Sequence, residues 1–310
     1  MKRRVALPLV TGLVLAVLTA CGSSDEGPTG PTIAVEHKFG TTQVPEDAER
    51  VVTVGYNDQD FVLALGVVPV ATRDWFEEYS DYPWVTEVTG GEEIPVLAGD
   101  DVNFEDVAAQ EPDVIFAIYD SIDQKTYDRL SDIAPTVVQS AEFEDEETPW
   151  DEQLRLTAQA LGKGAEAEAL IAEVDAKVAE VAQAHPEFAG QVLTMDYGPE
   201  DGGHYAIGAG DPRRTVFDLL GFAAQDAVGD VSEERLDVLD QDVLFVLGAT
   251  QEEMLESPVF SRLAVVQEGR TMYATWESTL TGALSYSGPN ALLWAIDELV
   301  PELAAATAPA

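Results

Sequence analysis

Seven residues follow closely on segments that read as β-strands and carry side chains suited to gripping a ligand: Tyr56, Arg73, Trp75, Tyr119, Tyr205, Arg214 and Trp276. Arginine supplies a permanent charge and a planar fork of donors, while tryptophan and tyrosine supply stacking surface with a polar edge. That is the chemistry of recognition, not of bond breaking. The motifs an enzyme would need are missing from the sequence: there is no phosphate-cradling loop, no G-x-S-x-G elbow and no H-E-x-x-H helix. Gly208 and Gly210 do not open a dinucleotide fingerprint, because Arg213 stands where the third glycine belongs. Of the adjacent pair Arg213 and Arg214, Arg214 is the one expected to reach the ligand.

Strands and helices must bring these residues together. Val51, Val52, Thr53 and Val54 form a β-branched strand that leads to Tyr56, and an apolar helix over 59–65 stops at Gly66. A strand over 67–71 then delivers Arg73, Asp74, Trp75 and Phe76. This β–helix–β order favours a parallel sheet, with ligands gathered at the carboxyl ends of its strands. A short helix over 103–110, a buried strand over 114–118 ending on Tyr119 and Asp120, a helix over 124–130 and a strand over 136–138 continue the pattern.

Two helical runs follow, 150–161 and 165–184, separated by Gly162, Lys163 and Gly164. In the second, Leu170, Val174, Val178 and Val181 recur every three or four residues and paint one apolar stripe. About twenty residues at ~1.5 Å each span roughly 30 Å, the width of a small domain. His185 before Pro186 ends the run. Beyond it the spacing predicts a strand over 191–195, a glycine-rich loop over 196–210 holding His204 and Tyr205, and a helix opened by Asp211. A helix capped by Ser232 and carrying Glu233 and Glu234, strands over 242–247 and 270–274 leading to Trp276, and a closing helix over 289–303 complete the chain. The fold class is α/β, with two Rossmann-like lobes of parallel sheet joined by a single long helix.

The 58 acidic against 16 basic residues give a net charge of −42, which opposes binding to nucleic acid or anionic lipid. Lys2, Arg3 and Arg4 followed by an apolar stretch over 5–18 form a secretory leader too short to span a bilayer comfortably. It ends in Leu18, Thr19, Ala20 and Cys21, which resembles the bacterial lipobox, where the cysteine takes a lipid. Cys21 is the only cysteine, so disulfides and thiolate metal clusters are excluded. Losing the leader leaves 13 basic residues against 58 acidic, a charge of −45. The organisation expected is a signal peptide (1–20), a lipid-anchored tether (21–32), an N-terminal lobe (33–147), a helical linker (148–186, backbone helix 165–184) and a C-terminal lobe (187–310).

Four stretches, taken in order and spacing, resemble one family. They are Ala48-Glu49-Arg50-Val51-Val52, Leu65-Gly66-Val67, Asn103-Phe104-Glu105 up to Glu111-Pro112-Asp113-Val114-Ile115, and Ile133-Ala134-Pro135-Thr136. The chain is similar to the iron-siderophore and vitamin B12 periplasmic binding proteins, substrate-binding components of ABC importers, over about residues 33–305. The resemblance implies a monomeric lipoprotein on the outer face of the cell membrane, capturing a ferric siderophore between its lobes. It implies no resident cofactor, since the iron comes held by the chelate. Its partners would be an ABC permease and its ATPase, with Glu105 and Glu234 docking to permease arginines. Haem and cobalamin are the alternative ligands; an extracytoplasmic enzyme and a scaffold lipoprotein are the alternative classes. His37 and His185 suggest no metal cluster, whereas His204 in its loop could complete the iron shell of an incompletely coordinating siderophore.

Overall fold

A computed structural model describes residues 30–308 save 77, 100 and 200–202, so the leader, Cys21 and most of the tether lie outside the described residues. The chain enters through an antiparallel hairpin, β1 (Thr32–His37) and β2 (Gly40–Pro45). The N-terminal sheet then forms from β3 (Val51–Thr53), β4 (Ala71–Thr72), β5 (Val114–Ala117) and β6 (Thr136–Val138). Its order is β4-β3-β5-β6 and every pairing is parallel. Helices α1 (Asp58–Ala64), α2 (Pro83–Thr89), α3 (Phe104–Ala109) and α4 (Gln124–Ser131) make the crossovers. All four strands are buried on both faces; β5 is apolar throughout, while β3, β4 and β6 each carry one buried threonine.

Helix α5 (Trp150–Ala160) belongs to the first lobe, and α6 (Gly164–Ala184) is the single long crossing. The glycine break ends α5, with Gly162 at φ 67, the left-handed conformation that favours glycine. Ala167, Ile171, Val174 and Val181 form the buried stripe of α6.

The C-terminal sheet holds β7 (Val192–Asp196), β8 (Gly203–Ile207), β9 (Ala223–Ala224), β10 (Gly229–Ser232), β11 (Val243–Leu247) and β12 (Thr271–Ala274). Its order is β10-β8-β7-β11-β12, with β9 alongside β7. The β7, β11 and β12 pairings are parallel, but β8 and β10 are antiparallel additions, so this sheet is mixed. The expected loop over 196–210 is in part a strand: His204 and Tyr205 lie on β8, facing opposite ways. Pairing with β7 and β10 fixes that strand in a glycine-flanked stretch where only Tyr205 and Ile207 favour β-structure. Helices α7 (Thr215–Leu219), α8 (Gln251–Leu255), α9 (Ala264–Gln267), α10 (Thr279–Tyr286) and α11 (Pro289–Ala306) cover the sheet.

The lobes share more than α6. One apolar core runs from Leu63, Tyr79, Tyr82, Trp84 and Val85 of the first lobe to Leu292, Ile296 and Leu299 of α11. At its centre sits the buried carboxylate of Asp60, on α1. It accepts hydrogen bonds from the Tyr79 hydroxyl (2.8 Å), the Trp84 indole (2.8 Å) and the backbone N–H of Gly288 (3.1 Å), which opens α11. A Cβ at residue 288 would collide with that carboxylate, so glycine is required there. Asp58 plays the matching part inside the first lobe, accepting from the N–H groups of Ile118 (2.9 Å) and Tyr119 (3.1 Å) and from Gln153 (3.0 Å).

Burial pushes both carboxyls up to about 6, although the hydrogen bonds each accepts oppose the shift. In the unfolded chain they ionise near 4, so between these pH values the native state binds more protons than the unfolded state. Stability therefore falls as pH rises through that window, by up to about 3 kcal/mol per carboxyl. Self-repulsion within the −42 chain acts in the same direction. Urea denaturation should give a higher midpoint at pH 5 than at pH 7.5; a higher midpoint at pH 7.5 would contradict this account.

Candidate functional site

The carboxyl ends of the parallel strands in both lobes turn toward one another. From the first lobe, the turn after β3 carries Tyr56, the turn after β4 carries Arg73 and Trp75, and β5 runs on into Tyr119 and Asp120. Tyr56 and Trp75 stack at 4.9 Å between ring centroids, 26° from parallel, and Tyr119 meets Trp75 at 6.1 Å. The Arg73 guanidinium lies 4.1 Å from the Tyr56 ring centre. It donates to the Asp120 carboxylate (2.8 Å) and to the Tyr56 hydroxyl (2.7 Å). Arg73 is buried, whereas Trp75 is 40% exposed, an uncovered stacking face on an ordered support.

The second lobe answers with Tyr197 after β7, Arg213 in the 3₁₀ turn Pro212–Arg214, and Trp276 after β12. Tyr197 and Trp276 meet edge to face at 4.7 Å. Trp276 reaches that position because Gly248, at φ 92 beyond β11, leaves room for the indole that any Cβ would fill. Arg213 lies 5.0 Å from the Tyr197 ring centre and grips Asp211 through Nε (2.8 Å) and Nη2 (2.6 Å).

The two walls sense each other. Burial, then the Asp211 and Glu146 carboxylates, hold the Tyr119 phenol above its ordinary range, while Arg213 opposes them. Tyr119 is therefore a neutral hydrogen-bond donor at physiological pH. Beside this contact the Tyr286 hydroxyl of α10 donates to Asp74 (2.7 Å) and accepts from the N–H groups of Trp75 and Phe76 (3.3 Å each). A cavity of about 360 Å³ opens along the same interface, between Asn57, Trp150 and Gln153 on one side and Asp211, Thr215 and Asp218 on the other.

Tyr56, Arg73, Trp75, Tyr119 and Trp276 are thus brought to facing walls. Arg214 is not, and the preference for it over Arg213 is corrected. Its side chain is fully buried, donating to the Leu193 carbonyl (3.0 Å), Gln225 (3.4 Å) and Asp218 (3.1 Å), and it serves to hold the second lobe together. Tyr205 stands on β8, 43% exposed, and its ring joins none of the aromatic pairs linking the other candidates.

His204 is also corrected as an iron ligand. Nδ1 is 2.7 Å from Asp196 and Nε2 is 3.5 Å from Glu233, with only 2% of the side chain exposed. Burial disfavours its imidazolium, yet the two carboxylates outweigh burial and raise its pKa. Among the described residues no group of three or more histidine, cysteine, aspartate or glutamate side chains could hold a metal ion.

The two docking candidates occupy exposed positions at helix starts, one on each lobe. Glu105 stands in the first turn of α3, where the Asn103 side chain accepts from the Asp106 N–H at 3.2 Å. Glu234 stands in the 3₁₀ segment Glu233–Leu239, not in the α-helix expected, and Ser232 precedes it with extended backbone but no side-chain capping bond. Of the second wall, Arg213 is the member of the pair ranked second in the sequence, and Tyr197 is the position missed. Tyr197 follows a strand end directly, so the rule that found Tyr119 applies to it equally.

A sequence profile for periplasmic binding proteins matches residues 51–275, and the chain belongs to that family. It is 30% identical over 193 residues to a probable siderophore-binding lipoprotein, YfiY, of Bacillus subtilis, covering 58% of this chain and 56% of that one. It is 24% identical over 272 residues to the ferric-anguibactin-binding protein FatB of Vibrio anguillarum, covering 79% and 80%. The chain spans about half the length of the Bacillus relative it matches. Among solved structures, a periplasmic solute-binding protein of Mycobacterium smegmatis superposes with a TM-score of 0.82 at 33% identity, over 90% of this chain and 99% of that one. The ferrichrome complex of Streptococcus pneumoniae PiaA shares the fold, with a TM-score of 0.75 at 24% identity, over 89% of this chain and 98% of that one.

Proposed function

We propose that this chain is the substrate-binding lipoprotein of an ABC importer, capturing a ferric siderophore between its lobes and delivering it to the membrane permease. The observation that carries the reading is the pair of facing walls, Tyr56–Trp75–Tyr119 with Arg73 and Tyr197–Trp276 with Arg213, built at strand ends of both lobes. The relatives named for siderophore binding support it, as does the ferrichrome held by the pneumococcal neighbour. Binding needs no resident cofactor, because the chelate already holds the iron. His204, buried against Asp196 and Glu233, is poorly placed as an axial ligand, which argues against haem held through it.

Cys21 would carry the lipid that anchors a monomer to the outer face of the membrane. No helix among the described residues is long and apolar enough to cross a membrane. Glu105 and Glu234 would engage arginines of the permease, which works with its ATPase. The chain acts as a carrier and not as an enzyme. Native mass spectrometry of the protein mixed with ferric hydroxamates, ferric catecholates, haem and cobalamin should show one ferric siderophore retained per chain and released unaltered. Retention of none, or recovery of a chemically changed chelate, would contradict the proposal.

A further inference from the structure

We infer that the cleft selects ferric chelates carrying no net negative charge, the neutral or cationic ferric trihydroxamates, over trianionic ferric tris-catecholates. The inference rests on the siderophore reading above and sharpens it to a ligand class. Both guanidiniums on the facing walls are already matched by a carboxylate of their own lobe. Arg73 holds Asp120 at 2.8 Å, with 9% and 14% of the two side chains exposed. Its other Nη donates to the Tyr56 hydroxyl at 2.7 Å. Arg213 spends the forked edge that would grip an anion on Asp211, at 2.8 and 2.6 Å, and lays its face over Tyr197. Because each pair lies within one lobe, movement of the lobes does not separate its members.

Further carboxylates stand close by. Asp74 accepts from Tyr286 (2.7 Å), and Glu147 and Asp218 line the neighbouring cavity. Arg214, adjacent in sequence, is buried in the second lobe and paired with Asp218. The local balance of the cleft is therefore neutral to negative, inside a chain of net charge −42. A tris-catecholate would bring three negative charges to arginines that must first leave their carboxylates. A ferric trihydroxamate asks for less: its ligand charges cancel the iron, its carbonyl oxygens accept from tyrosine hydroxyls, and its aliphatic linkers can lie on Trp75 and Trp276.

Fluorescence titration of the intact protein with ferrichrome, a ferrioxamine and a ferric tris-catecholate tests the inference. The trihydroxamates should bind at least about tenfold tighter than the tris-catecholate, consistent with charges of one sign meeting at low dielectric. The affinity for neutral ferrichrome should change less than about twofold between low and high salt, as expected for a ligand without net charge. The double variant Asp120→Asn, Asp211→Asn should narrow the gap by strengthening catecholate binding. Tris-catecholate binding equal to or tighter than trihydroxamate binding, on the unmodified protein alone, would overturn the inference and leave the siderophore reading standing. Binding of no ferric chelate at all would overturn the siderophore reading itself, and the selectivity with it.

Discussion

Replacing Asp60 by alanine should destabilise the protein by about 3–6 kcal/mol, because three buried donors lose their acceptor at ~1–3 kcal/mol each. The donors are the Tyr79 hydroxyl, the Trp84 indole and the Gly288 N–H, all set in the apolar core shared by the lobes. At ~2–4 °C per kcal/mol the melting temperature should fall by about 10 °C. Asp60→Asn with its carbonyl oxygen toward Tyr79 and Trp84 keeps both of those bonds and turns its NH₂ toward the Gly288 N–H alone, so it should recover much of the loss. Tyr79→Phe removes one donor together with its demand and should lose only about 1 kcal/mol. Chemical denaturation of the three variants orders them. A loss below about 1 kcal/mol for Asp60→Ala would show that the lobes are not pinned together at this carboxylate.

Reversing both docking charges, Glu105→Arg with Glu234→Arg, should abolish uptake while leaving chelate affinity unchanged. Both side chains are exposed, and neither is among the residues that build the facing walls, so neither fold nor cleft should suffer. Close charge pairs at an interface contribute roughly 1.5–7 kcal/mol, and reversal replaces each attraction by repulsion. Two such changes on separate lobes exceed what a transient docking event can lose. Iron uptake by cells carrying only the variant, read beside chelate binding by the purified protein, separates transport from capture. Normal uptake by the double variant would remove these two glutamates from the docking surface.

Much of this arrangement was legible in the sequence, for physical reasons that also mark where legibility ended. Most of the N-terminal sheet declared itself because its parallel strands are buried on both faces, as in the apolar run Val114–Ala117, but the strand expected over 67–71 keeps only Ala71 and pairs as Ala71–Thr72. The long α6 was visible from the period of its stripe. What failed depended on contacts far along the chain. Strand β8 owes its existence to β7 and β10, and the pairing that turns His204 inward, toward Asp196 and Glu233, leaves no local trace. The choice between Arg213 and Arg214 turned on the phase of one short 3₁₀ segment, where neighbouring side chains point about 120° apart. Phase placed Arg213 over Tyr197 and sent Arg214 into the core. The brace that α11 adds was hidden for a similar reason: Asp60 and Gly288 stand 228 positions apart, and nothing local to either marks the pairing.

The central claim is that one ferric chelate is held between the walls carrying Trp75 and Trp276. Trp75 is the most telling probe, since its 40% exposure means that truncation removes stacking surface without opening the core. Isothermal titration of a panel of ferric hydroxamates and catecholates into the unmodified protein and into Trp75→Ala tests the claim directly. The unmodified protein should bind its chelate one to one, and Trp75→Ala should bind it about tenfold more weakly, as expected for loss of ~1–1.5 kcal/mol of aromatic contact. Equal affinities for the two proteins, or no saturable heat with any chelate, would contradict it.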